Sequence, residues 1–89
     1  MEIEFDPAKS ERNQQARGFG FERASAFDFS TALIWIDRRN AYPETRYAAL
    51  GLVDDRLHAL VFTEAKTGIR VISFRKANAR EIRLHARHR

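Results

Sequence analysis

The sequence predicts an α+β fold, with helices towards both ends of the chain and a central antiparallel meander between them. Two observations mark the ends. Asp6-Pro7 reads as a helix N-cap followed by proline at the first helical position, and Asn78 with Glu81 three residues on reads as a capping box. The third is the middle of the chain, where short β-type segments alternate with turn signals such as Asp54-Asp55 and Lys66-Thr67-Gly68.

In order, Glu2-Ile3-Glu4-Phe5 alternates polar and apolar residues and reads as a short edge strand. The first helix runs from Pro7 to about Arg17, and Gly18 stands where a left-handed C-terminal cap is expected. Its apolar residues are the small Ala8 and Ala16, so it is expected to be largely exposed. Phe21, Ala24 and Phe27 follow at helical spacing, predicting a second short helix that anchors the first to the core. Together with Phe19 and Phe29 they are read as core packing rather than as a base-stacking surface. Strands are expected from Ala32 to Asp37, Arg46 to Val53, Arg56 to Thr63 and Ile69 to Lys76, with a long loop over 37–45. In the last helix, Ala79, Ile82 and Ala86 form a weak apolar face while Arg80, Arg83 and Arg87 line another.

A chain of 89 residues is expected to form one domain over 1–89, burying roughly 60% of its extended surface. Lys and Arg number 16 against 12 Asp and Glu, and nearly all the cations are arginine. Guanidinium groups favour bidentate contacts to phosphate or carboxylate. With no cysteine there are no disulfides and no thiolate metal sites, which agrees with a reducing cytoplasm. The N-terminus lacks a signal-peptide pattern, and the run Ala32-Leu33-Ile34-Trp35-Ile36 is far shorter than the ~20 residues that cross a bilayer. A soluble cytoplasmic protein without membrane contact is expected. No Gly-rich phosphate loop, His-Glu-x-x-His or serine elbow is present, so no cofactor is expected.

The strand from Ile69 to Lys76 is the most informative segment. It mounts Arg70, Arg75 and Lys76 on an element whose apolar residues fix it in a sheet, and it leads into a basic helix. Rigid cations can stabilise charge that develops on a phosphodiester, which loose cations cannot. Period two sets Arg70, Ile72, Phe74 and Lys76 on one side and Ile69, Val71, Ser73 and Arg75 on the other. Arg70 and Arg75 are therefore expected on opposite faces unless a bulge intervenes. In Glu44-Thr45-Arg46 the acid and the guanidinium share a side, as a general base beside a phosphate clamp or as a surface ion pair. His58 is read as structural or exposed. His85 and His88 have spacing for a metal, but no third ligand accompanies them, and a frayed basic terminus explains them better.

Several short motifs, taken together and in order, resemble the BrnT family of type II toxins, small ribonucleases with a RelE-like fold. They are Phe5-Asp6-Pro7-Ala8-Lys9, Asn13, Gly18, Phe21-Glu22-Arg23-Ala24 with Phe27, Glu44-Thr45-Arg46, Gly51 and Leu60-Val61-Phe62-Thr63-Glu64. The strongest is Arg70-Val71-Ile72-Ser73-Phe74-Arg75-Lys76-Ala77 with Arg80-Glu81. The resemblance implies a metal-independent endoribonuclease that halts translation by cutting RNA. It also implies a BrnA-type ribbon-helix-helix antitoxin, through which alone the pair would touch operator DNA. On that resemblance Arg46, Arg70 and Arg75 are the charge stabilisers and Glu44 or Lys9 the proton-transfer groups. Lys76, Arg80 and Arg17 would bind RNA. Relatives usually read Lys-His-Gly where this chain has Ala16-Arg17-Gly18, and arginine is common where Ala65 stands. These departures leave open a catalytically weakened homologue that binds an antitoxin or nucleic acid.

Overall fold

The computed structural model describes residues 1–88. Its elements are β1 (Glu2–Glu4), α1 (Pro7–Arg17), a 3-10 helix (Phe21–Ala26), β2 (Asp28–Ile36), β3 (Tyr47–Val53), β4 (Arg56–Glu64), β5 (Gly68–Lys76) and α2 (Ala79–Arg87). The strands form one five-stranded sheet in the order β1-β5-β4-β3-β2. β2 to β5 make the expected antiparallel meander, and β1 adds to its edge in parallel with β5. The sheet is thus mixed, a property that the local pattern of β1 does not encode.

The two helix starts are as the sequence predicts. The Asp6 carboxylate accepts the Ala8 amide at 2.9 Å, with Pro7 beginning α1 and Gly18 closing it at φ 88°. The Asn78 side chain accepts the Glu81 amide while Glu81 accepts the Asn78 amide, completing the box that starts α2. The segment 21–26 is a 3-10 helix, and Phe27 lies just beyond it. β2 starts at Asp28, four residues before the predicted strand, and takes in Phe29. The missed part is irregular: the pairing with β3 slips between Asp28 and Leu33, so strict alternation fails there.

Two apolar layers cover the sheet. The larger, on the first face, gathers Phe21, Ala24, Phe27, Leu60, Val71 and Phe74 under the 3-10 helix. Gly51 on β3 is required by this layer, because a Cβ there would lie 2.4 Å from the Phe27 ring. The smaller layer, on the second face, joins Leu50, Leu57 and Ala77 to Leu84 of α2. The predicted apolar face of α2 is not the one used. Ile82 is 44% exposed, whereas Leu84 and His85 turn inward. His85 is not frayed: it is buried, and its Nε2–H donates to the Thr31 carbonyl at 3.0 Å, docking α2 on irregular β2.

α1 is mostly exposed, as expected, with Ser10 its one buried residue. It runs beside β5 where β1 has ended, since β1 pairs only as far as Arg70. There the Asn13 side-chain amide donates to the carbonyls of Phe74 (3.0 Å) and Phe19 (3.1 Å). Ser10 Oγ accepts the Phe21 amide at 2.8 Å, which ties α1 to the 3-10 helix. Polar side chains thus do for α1 what an apolar stripe does for an ordinary amphipathic helix.

Candidate functional site

β5 departs from period two, and the site depends on that departure. Ser73 pairs with Val61, but Val71 pairs with the next β4 residue, Phe62, so Ile72 is an extra residue without a partner. This bulge inverts the alternation. Before it, Ile69 and Val71 point to the first face; after it, Phe74 and Lys76 do. Arg70, Ser73 and Arg75 consequently lie on the second face, and the expectation that Arg70 and Arg75 oppose each other is overturned. They still do not meet. Their partners on β4, Thr63 and Ala59, are four residues apart, or about 14 Å along the strand, and Arg70 lies 3.8 Å from Glu4 on β1.

Arg75 instead opens onto a groove of about 510 Å³ on the second face. Small side chains from β3 and β4, Ala48 and Ala59 among them, allow the depression, and the start of α2 walls one side with Asn78, Arg80 and Glu81. The β2–β3 loop walls the other. A cleft of about 130 Å³ continues the groove and brings Arg39, Arg46 and Arg75 together with Asp37, Tyr42, Ile72 and Ser73.

Each of the three guanidiniums is held by neighbours. Arg75 donates both Nη groups to the Glu81 carboxylate, at 2.8 and 2.9 Å. That contact holds the Glu81 carboxyl below its ordinary range, against the opposing cost of its burial. Arg39 grips Asp37 through Nε (2.8 Å) and Nη2 (2.7 Å). The hydrogen bonds from Arg39 pull the buried Asp37 carboxyl from 3.8 down to about 2. Arg46 lies 4.0 Å over the Tyr42 ring, and its Nε reaches Glu44 at 3.4 Å. The Arg39 Nη1, the Arg46 Nη groups and the Arg75 Nε have no hydrogen-bond partner among the described residues. Fixed planar cations with free N–H groups around a small cleft can receive an anion with tetrahedral or trigonal-bipyramidal oxygens.

Of the residues singled out in the sequence, Arg46 and Arg75 meet in the cleft and Arg80 lines the groove, whereas Glu44 lines an adjoining depression that shares Asp37, Tyr42 and Arg46 with the cleft. Lys9 and Arg17 lie along α1 in a separate shallow depression, which shares with the cleft only the bulge residues Ile72 and Ser73. Lys76 falls on the other face. Sequence reasoning missed Arg39, Asp37 and Tyr42. The signal available was the concentration of charge and an aromatic within the loop 37–45, though its folding back over β3 and β4 is set by tertiary packing. Among the described residues no cluster of His, Cys, Asp and Glu is arranged to hold a metal, and no helix is long and apolar enough to cross a membrane.

No curated protein matches the chain. A family model does, that of the ribonuclease toxin BrnT of type II toxin–antitoxin systems, over residues 5–81. The matched span runs from the turn before α1, through Arg46 and the Arg75 strand, to the carboxylate that holds Arg75, and the chain therefore belongs to the BrnT family of ribonuclease toxins.

Proposed function

We propose that this chain is the RNA-cleaving toxin of a type II pair, and that the Arg39–Arg46–Arg75 cleft is where the phosphodiester is cut. The observation that carries the reading is the convergence of three carboxylate- or aromatic-braced guanidiniums in a chain of this family. Cutting RNA by its own 2′-hydroxyl needs no added nucleophile. The 2′-oxygen bonds to phosphorus, the bond from phosphorus to the 5′-oxygen breaks, and the ends left are a 2′,3′-cyclic phosphate and a 5′-hydroxyl. Negative charge builds on the phosphorane oxygens between, where the free N–H groups of Arg46, Arg75 and Arg39 would meet it.

Glu44, paired with Arg46 in the depression next to the cleft, takes the 2′-hydroxyl proton. For the proton delivered to the leaving 5′-oxygen the geometry favours Tyr42 over Lys9, because Tyr42 lines the cleft whereas Lys9 lies beyond the Ile72–Ser73 bulge. Arg80 and Arg17 bind flanking phosphates. Arg70, facing Glu4, is too far along β5 to touch the same linkage. Because the chain's own cations neutralise the phosphorane, cleavage proceeds without a metal ion.

The cell biology follows the family: cleavage in the cytoplasm halts translation, and a BrnA-type ribbon-helix-helix antitoxin neutralises it. The weakened-homologue alternative has less support, because the departures at Ala16-Arg17 and Ala65 lie at the end of α1 and in the β4–β5 turn, outside the cleft. The test is cleavage of RNA by the purified chain and by Arg46→Ala and Arg75→Ala. Each loss should lower the rate ~10²–10³-fold, with the circular dichroism spectrum unchanged. Arg75→Lys serves as a second variant, since removing Arg75 leaves Glu81 unpaired. Folded variants that cut as fast as the parent would sink the assignment.

A further inference from the structure

The first face carries its own basic cavity, which the cleavage site does not use. At the end of the sheet marked by the β3–β4 turn, Arg23, Arg56 and Lys76 surround His58 in a depression of about 310 Å³, with Phe19 and Val53 as its apolar side. Lys76 and His58 are cross-strand partners. The bulge that delivers Arg75 to the cleft therefore delivers Lys76 here. Asp54 is the acidic group in this cavity and is held by Arg23. Arg56 and Lys76 have no carboxylate partner among the described residues.

His58 is 6% exposed and packs edge-on to Phe19 at 5.5 Å and against Phe74 at 5.2 Å. Its Nδ1 lies 2.8 Å from the Arg56 carbonyl. A carbonyl can only accept, so Nδ1 carries the hydrogen and Nε2 of the neutral ring is bare. Among the described residues Nε2 has no partner, yet no buried side-chain nitrogen or oxygen is left unpaired. Nε2 therefore opens into the cavity. Burial first, and then the neighbouring Arg56, Lys76 and Arg23, hold this imidazole below its ordinary pKa, which disfavours its charged form. An anion seated among these groups would reverse the local potential and let Nε2 gain a proton and donate.

α1 links the two places. Its depression shares Ile72 and Ser73 with the cleft, and two residues past Arg17 the chain reaches Phe19, which lines the His58 cavity. Resting on the reading of the chain as an RNA-cutting toxin, we propose that the Arg56–His58–Lys76 cavity is a second phosphate subsite, holding a phosphodiester of the RNA strand away from the linkage that is cut. It grips substrate and takes no part in bond breaking.

The probe is a 2′-O-methyl oligoribonucleotide, which binds but cannot be cut, added to the full chain while the His58 ring is titrated by NMR. The expected result is a His58 titration midpoint moved to higher pH, lost in Lys76→Gln and in Arg56→Gln. On cleavable RNA the same variants should raise KM several-fold with kcat kept, whereas Arg75→Ala lowers kcat. An oligonucleotide that binds while the His58 midpoint stays fixed overturns the subsite and leaves the cleft reading standing. Failure to bind any oligonucleotide overturns both. Inorganic phosphate moving the midpoint as far as the oligonucleotide does, at equal concentration, overturns the assignment to RNA in favour of free phosphate.

Discussion

Asp37 and Glu81 show how single carboxylates shape this site. Both are turned toward guanidiniums and away from water, and neither is a proton-transfer group near neutral pH, because Arg39 and Arg75 stabilise their charged forms. Their part is to hold arginines still, which matters more for a transition state than adding charge. The Asp37 pair has a pH consequence. Its carboxyl is depressed from 3.8 to about 2 in the folded chain, so its stabilising contribution is complete above the unfolded value and is lost as pH falls through the folded one. Acid unfolding followed by circular dichroism should steepen between pH 4 and 2, and Asp37→Asn should flatten that limb. An unchanged acid limb in the variant would show that the pair does not hold in solution. These side chains were only partly legible in the sequence. Glu44 and Arg46 do meet, although both lie ahead of β3, which starts at Tyr47, so strand alternation is not what pairs them; Arg39, Asp37 and Tyr42 belong to a loop whose path no period encodes.

β5 and α2 together set where Arg75 stands. Counting by two along β5 put Arg70 and Arg75 on opposite faces, and one unpaired residue, Ile72, reversed that. The pattern gives no warning, because Ile72 is as apolar as a regular strand residue would be. The bulge sits where β1 has stopped pairing and α1 has taken over the strand edge through Asn13, contacts made far along the chain. Capping signals, in contrast, are local, and Asp6, Gly18 and Asn78 were all readable. Glu81 joins the two elements, since it accepts from the Asn78 amide and from Arg75 at once. Removing the cap should therefore do more than loosen a helix. Asn78→Ala should cost about 1 kcal/mol of stability in urea unfolding and also slow cleavage, because Arg75 loses its fixed anchor. A stability loss with cleavage unaltered would mean that α2 does not position Arg75.

Across the molecule, a small mixed sheet separates two sets of cations. The second face gathers Arg39, Arg46, Arg75 and Arg80 in a groove floored by small side chains, and the first face sets Arg56 and Lys76 beside a buried imidazole. The α+β order and the antiparallel meander were legible because turn residues and alternation are local. Which cations share a face was not, because the register slips in β2 and β5 decide it. On the proposed function, the chain's own arginines, without a metal, drive attack by the RNA 2′-hydroxyl. The most direct measurement is to incubate the purified chain with RNA in excess EDTA and identify the new ends. Cleavage by the arginines alone leaves 2′,3′-cyclic phosphate and 5′-hydroxyl ends, formed at the same rate with and without chelator and largely lost in Arg46→Ala. Intact RNA, 5′-phosphate ends, or cleavage abolished by EDTA would contradict it.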